Sequence, residues 1–169
     1  MTVSPLVAVV VTDTSILINL FHAGHLDLLG QLRGFRFVIP DEVISEVTRP
    51  DQAVVVEDAL SRGVIFRESI ADPEELKIFG DLSRTLGIGE SACLALAQGR
   101  GWIVACDERR VFFREAESRL GSGRILNTPG LYLLCIRGGL ITVEEADAAK
   151  AILEQNRFRM AFASFRDLV

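Results

Sequence analysis

The sequence predicts an α/β fold of three layers, α/β/α, around a central parallel sheet of about five strands, in a single domain over residues 1–169. Three observations predict it. Residues 7–11 and 102–106 are apolar without alternation, as in strands buried on both faces of a parallel sheet. Helical stripes alternate with short strand-like runs along the whole chain. Each doubly buried run is followed at its carboxyl end by an aspartate, Asp13 after the first and Asp107 after the second.

Taken in order, the first strand runs into Asp13-Thr14-Ser15, where Thr14 or Ser15 is expected to cap the next helix. That helix begins with Ile16, Leu17 and Leu20 and is interrupted at His22-Ala23-Gly24-His25. Leu26, Leu28, Leu29 and Leu32 resume a helical stripe ending near Gly34. Residues 35–39 form a second strand, and Pro40 opens a helix with Val43, Ile44 and Val47 inward and Glu46 beside that face. Arg49-Pro50 stops it, residues 52–62 supply another helix with Gly63 as C-cap, and residues 64–66 read as a third strand.

Asp72-Pro73-Glu74-Glu75 starts a helix expected to reach about Leu86. Gly87-Ile88-Gly89 breaks the pattern, and Glu90 opens a helix of small residues, Ala92 to Ala97, able to pack closely. After the second buried strand, residues 108–120 form a helix carrying Arg109, Arg110, Arg114 and Arg119. Residues 124–126 are a last short strand. Asn127-Thr128-Pro129-Gly130 leads into a helix ending at Gly138-Gly139, and Thr142 with Glu145 has capping-box spacing for a final helix in a tail, 142–169.

Composition narrows the function. With 49% hydrophobic and 24% charged residues the chain is globular. At 169 residues it buries about two thirds of its unfolded surface. No apolar stretch reaches the roughly 18 residues of a membrane span. The first apolar run ends in Asp13 with no basic region before it, so it reads as a core strand and not a signal peptide. Cys93, Cys106 and Cys135 are odd in number, widely spaced and set among apolar residues, as buried free thiols of a cytoplasmic protein would be. A net charge of −5 argues against gripping nucleic acid with the whole surface, though not against a local basic rim.

The chemistry lies in the acids. Asp13 and Asp107 are expected in the crevice above the sheet, Glu90 reaches it from a helix start, and Glu46 is the least well placed by geometry alone. Carboxylates that converge raise one another's pKa unless a cation sits among them. An all-oxygen set with no convergent His or Cys selects Mg²⁺ or Mn²⁺. Such a centre orients water against a phosphodiester and neutralises the charge that develops.

Each acid also has an ordinary reading. An aspartate after a strand caps helices, a glutamate at a helix start answers the dipole, and Glu46 alone is a solvated helix residue. The matched pair Asp13 and Asp107 lifts the set above these. Other candidates are weaker. Gly87-Ile88-Gly89-Glu90 lacks the lysine of nucleotide loops. His22 and His25 lack a third ligand and read as surface loop, and Ser15 has no base in triad order. A phospho-acceptor site would need a lysine after a late strand, and the chain's two lysines, Lys77 and Lys150, follow none.

Four stretches resemble the PIN-domain nucleases, and most of all the VapC-like toxins of prokaryotic toxin–antitoxin pairs. They are Val10-Val-Thr-Asp13-Thr-Ser15-Ile-Leu-Ile-Asn19, Pro40-x-x-Val43-x-x-Glu46-Val47, Leu86-Gly-Ile-Gly89-Glu90-Ser-Ala, and Val104-Ala-Cys-Asp107-Glu108, within residues 7–140. The resemblance implies a PIN-like domain in which Asp13, Glu46, Glu90 and Asp107 bind Mg²⁺ or Mn²⁺ and cut RNA. Thr14 or Ser15 then matches a hydroxyl position beside the metal. It also implies an antitoxin partner and a homodimer. Glu108 stands where a second aspartate is common, and Asn127-Thr128-Pro129-Gly130 where the branch reads Gly-Thr-x-Gly; neither change removes a metal ligand. The alternatives are a housekeeping RNA-processing nuclease and an inactive PIN scaffold that binds RNA or protein.

Overall fold

The computed structural model describes residues 6–107 and 110–169. Its centre is a five-stranded, all-parallel sheet of β1 (Ala8–Thr12), β2 (Phe35–Pro40), β3 (Phe66–Glu68), β4 (Ile103–Ala105) and β5 (Ile125–Leu126), in the order β3-β2-β1-β4-β5. β1 pairs on one side with β2, Val10 opposite Phe37, and on the other with β4, Thr12 opposite Ala105. Strand order therefore reverses at β1, and the crevice above β1 and β4 is the topological switch point where open sheets bind ligands.

Helices cover both faces. They are α1 (Thr14–His22), α2 (Leu28–Gln31), α3 (Asp41–Glu46), α4 (Pro50–Ser61), α5 (Pro73–Leu82), α6 (Ile88–Arg100), α7 (Val111–Leu120), α8 (Thr128–Arg137) and α9 (Val143–Gln155). The unalternating run of β1 is explained by its place: Val10 and Val11 are fully buried. The small-residue stretch of α6 packs against α3, α5 and the sheet with Ala92 through Ala97 at zero exposure, a close approach that larger side chains would prevent. The predicted capping box of Thr142 with Glu145 is present, and the predicted helix start at Asp72 proves to carry one as well, with Glu75. Cys93, Cys106 and Cys135 are buried free thiols, and no helix among the described residues is long and apolar enough to cross a membrane.

Several boundaries differ from expectation. Pro50, expected only to stop a helix, sits in the first turn of α4, where its missing N–H costs nothing. The third strand lies two residues later than its apolar core. Val64 and Ile65 enter the interior first, and the paired residues Phe66 to Glu68 belong to a solvent-facing edge. α5 stops at Leu82, four residues early, because the chain tightens at Ser83 and tucks Leu86 into the core. The arginine-bearing helix begins at Val111; its expected start at Glu108, and Arg109, lie outside the described residues. The tail packs on the rest: α9 contacts α8 and α1, and Leu153, Met160 and Phe165 are buried.

Candidate functional site

Asp13 follows β1 directly, and its N–H donates to the Ala105 carbonyl of β4, 3.1 Å away. The β1–β4 register continued by one residue sets Asp13 against Cys106, whose thiol lies 3.7 Å from Asp13 Oδ2. Asp107 is the next residue. The two aspartates thus leave adjacent strands at the switch point, where parallel geometry brings their carboxyl ends together.

Asp13 does what an aspartate at that position does locally. It is the N-cap of α1, accepting from the Thr14 N–H at 2.8 Å, so the cap is Asp13 itself and not Thr14 or Ser15. Ser15 Oγ lies 3.5 Å from its other oxygen. Capping does not satisfy the charge. Burial pushes the Asp13 carboxyl above the usual carboxylate range and the Glu46 charge pushes it further, against the hydrogen bonds from Thr14, Cys106 and Ser15.

Asp107 is held on three sides. Thr128 donates to it twice, from its backbone N–H at 2.9 Å and its hydroxyl at 2.7 Å, and Asn19 Nδ2 donates at 2.9 Å. Thr128 opens α8, and Asn19 lies on α1 one to two turns after Asp13. An amide among the buried apolar residues Ile16, Leu17 and Leu20 was the signal for Asn19, since a polar side chain there needs a partner.

Glu46 ends α3 and reaches across to α6, accepting the Gly89 N–H at 3.0 Å. Glu90 accepts the Gly87 N–H at 3.2 Å in the capping box of α6. The positive end of α6 therefore holds two acids. The fields of Asp13, Glu46 and Glu90 all reach the buried Cys93 thiol, which burial already pushes far up and which lies 3.7 Å from the Thr12 carbonyl. Three of the candidate acids thus act on one buried thiol, and Asp107 is tied instead to Thr128 of α8.

Gly89 explains how Glu46 reaches its place. A Cβ on Gly89 would drive into the Glu46 carboxylate, 3.2 Å from its Cδ and 3.2 Å from Val43 Cγ2. The glutamate end can swing away, so Gly89→Ala is expected to fold with a melting temperature within a few degrees of wild type. Any activity that needs Glu46 in place is expected to fall on the order of tenfold to a hundredfold. Thermal melts beside RNA-cleavage rates check this, and an equal rate in the variant would remove Glu46 from the site.

The donor set, carboxylates with hydroxyls nearby, suits a hard divalent cation. Among the described residues, however, no three Asp, Glu, His or Cys side chains stand close enough together to hold an ion as they are. The reason is visible: Glu46, Glu90 and Asp107 each rest on a protein N–H, and ion binding requires those bonds to be shared or released. Thr14, Ser15, Asn19 and Asp107 line a cavity of about 360 Å³. A second cavity of about 390 Å³ opens on the other side of Asp107, between Phe113, Leu126 and Pro129.

The remaining candidates fall elsewhere. His25 lies in the loop between α1 and α2 but is half-buried there, with Nδ1 3.0 Å from the Tyr132 hydroxyl, and burial lowers its pKa. Arg119 is engaged by Glu115 and Gln98, whereas Arg110 and Arg114 are exposed. Arg157, which the sequence reading passed over, lines the 360 Å³ cavity.

Comparison with known proteins bears on the family and the fold. A family model described as PIN domain matches residues 9–164 and so takes in most of the C-terminal tail. Among solved structures, the crystal structure of PAE2754 from Pyrobaculum aerophilum is similar in fold. It has a TM-score of 0.51 at 17% identity, over 78% of this chain and 98% of that one. No curated protein sequence matches the chain.

Proposed function

The chain belongs to the PIN-domain family, and from that premise we propose that it is a Mg²⁺- or Mn²⁺-dependent endoribonuclease, a toxin restrained by a cognate antitoxin. PIN domains are in general nucleases that use divalent metal ions. The observation that best supports the finer reading is the electrostatics of Asp13. Its carboxyl is desolvated and opposed by Glu46 at the switch point of the sheet, an arrangement that a cation relieves.

In this reading Asp13 and Glu46 hold the cation together with Glu90 and Asp107, and the ion supplies charge neutralisation at the phosphodiester and an acidified water. The chain's own groups do the positioning. Thr14 and Ser15 present hydroxyls beside Asp13. Thr128 and Asn19 aim Asp107 by three donated hydrogen bonds. Cys93 and Cys106 fill the floor and keep water from the back of the site.

The test is cleavage of a labelled single-stranded RNA with Mn²⁺, with Mg²⁺ and with chelator. Wild type is expected to cut only with metal, and Glu46→Gln to cut about tenfold more slowly. Cleavage that survives chelator would overturn the reading. The toxin role rests on the family resemblance, as do the antitoxin and the homodimer. Growth arrest on expression, relieved by a protein encoded next to the gene, supports it; its absence favours a housekeeping RNA-processing nuclease.

A second reading has one observation in its favour. The acids rest on protein hydrogen bonds and are not gathered as a set, which suits a PIN scaffold that binds RNA or protein without cutting. Isothermal titration separates the two: no Mn²⁺ binding at millimolar metal favours the scaffold.

A further inference from the structure

The tail beyond the motifs contributes directly to the cavities at Asp107. α9 ends in a turn in which the Phe158 N–H donates to the Leu153 carbonyl and the Arg157 N–H to the Glu154 carbonyl. This is the double hydrogen bond of a Schellman ending, with Arg157 at the position usually given to glycine. Arg157 has φ +66° and is the one non-glycine residue with positive φ among the described residues. Six glycines take that conformation elsewhere in the chain. A residue with a Cβ is disfavoured there, and such outliers cluster at functional sites.

What the turn presents is chemically specific. Arg157 lines the 360 Å³ cavity that Thr14, Ser15, Asn19 and Asp107 also line. Phe158 lines that cavity and the 390 Å³ one as well, where Phe113 joins it. Asp107 and Phe158 are thus shared between a cavity carrying an arginine and a cavity carrying a pair of phenylalanines. No carboxylate among the described residues forms an ion pair with Arg157. Phe113 is 42% exposed, much for a large apolar side chain beside a candidate site.

We propose that the turn at residues 156–158 positions the substrate: Arg157 takes a phosphate of single-stranded RNA in the 360 Å³ cavity, and Phe158 with Phe113 takes the neighbouring unstacked base in the 390 Å³ one. RNA as the substrate class rests on the nuclease reading; the clamp itself rests on the two cavities and the strained arginine. Single-stranded RNA alternates anion and flat apolar base, and proteins hold it by pairing cations with aromatic platforms. The left-handed turn places Arg157 on one cavity and Phe158 on both, where the two cavities meet at Asp107.

The experiment measures binding and cutting separately. Fluorescence anisotropy of a short labelled single-stranded RNA is read in chelator, and cleavage in Mn²⁺, for wild type, Arg157→Gly, Phe113→Ser and Arg137→Ala. Arg137 is an exposed arginine at the far end of α8 and serves as the control. Arg157→Gly is expected to melt at or above the wild-type temperature, because it removes strain. It should bind RNA about tenfold more weakly, with a salt slope shallower by about one charge. Phe113→Ser is expected to weaken binding about tenfold at an unchanged slope. Arg137→Ala should match wild type. Wild-type affinity and slope in Arg157→Gly overturns the proposal, as does an equal loss in Arg137→Ala, and so does a wild type that binds no RNA. If wild type binds RNA through Arg157 but cuts nothing in Mn²⁺, the clamp stands and the nuclease reading falls.

Discussion

Asp13→Asn is expected to abolish Mn²⁺-dependent cleavage, by on the order of a hundredfold or more, while making the metal-free protein more stable near neutral pH. Both effects have one cause. The wild-type carboxyl is desolvated and faces the Glu46 charge, so its pKa is raised and its ionised form is a strain on the fold. Asparagine keeps the acceptor that caps α1 at Thr14, and it is as good a cap as aspartate. What it lacks is the charge that draws in a cation, and several kcal/mol of transition-state stabilisation go with the cation.

The pH dependence fixes the sign. Below the unfolded value of 3.8 the wild-type carboxyl is neutral in both states, and the two proteins have the same electrostatic cost. As pH rises through the raised folded value, wild type loses stability and the asparagine variant does not, so the gap widens from acid to neutral. Melts across pH in chelator, then in Mn²⁺, check this. Saturating metal should raise the wild-type melting temperature and leave the variant unmoved. A variant that cuts RNA at the wild-type rate would remove Asp13 from the chemistry.

The largest stability effect is expected at the other end of α6. Arg100 closes that helix with a forked contact to Glu75, Nε at 2.6 Å from Oε1 and Nη2 at 3.2 Å from Oε2. It also donates to Glu68 at 2.9 Å and to the Ser69 carbonyl at 2.9 Å, and it lies over the Trp102 ring. Glu75 has a side chain only 5% exposed. Close approach there depends on Gly99, where a Cβ would stand 2.8 Å from Glu75 Cγ. One guanidinium thereby ties α6, α5 and the end of β3 together.

Arg100→Ala leaves a buried carboxylate without its partner, at a cost of about 3–5 kcal/mol. Urea unfolding measures it, and a loss below about 1 kcal/mol would show that the Ala71 and Asp72 N–H groups, with water, suffice for Glu75. Arg100 beside Glu75 holds that carboxyl below the usual range, so the pair stabilises the fold above about pH 4.5. The contribution is lost as pH falls through the lowered folded value. Acid unfolding of Arg100→Ala should therefore be shallower than that of wild type. Adding Glu75→Leu to Arg100→Ala should recover part of the loss, because it removes the stranded charge.

The elements and much of their order are legible along the chain. Strands β1 and β4 announce double burial by unbroken apolar runs, and Asp72 and Thr142 announce helix starts through contacts three residues long. The placement of Asp13 and Asp107 beyond two central strands was legible for the same reason: strand, acid and helix start occupy a few consecutive residues. β3 was misplaced by two residues because burial and pairing do not coincide on an edge strand.

Which side chains meet depends on the packed fold. Glu46 rests on Gly89, 43 residues away, and Asn19 on Asp107, 88 residues away. Arg157 reaches the same cavity from a helix end that carries no motif. Periodicity and capping are local, set by a few neighbouring residues and readable there. A polar residue in an apolar stretch shows locally that it needs a partner, but which distant residue that is leaves no local trace, because the geometry exists only once the sheet has brought β1 and β4 side by side.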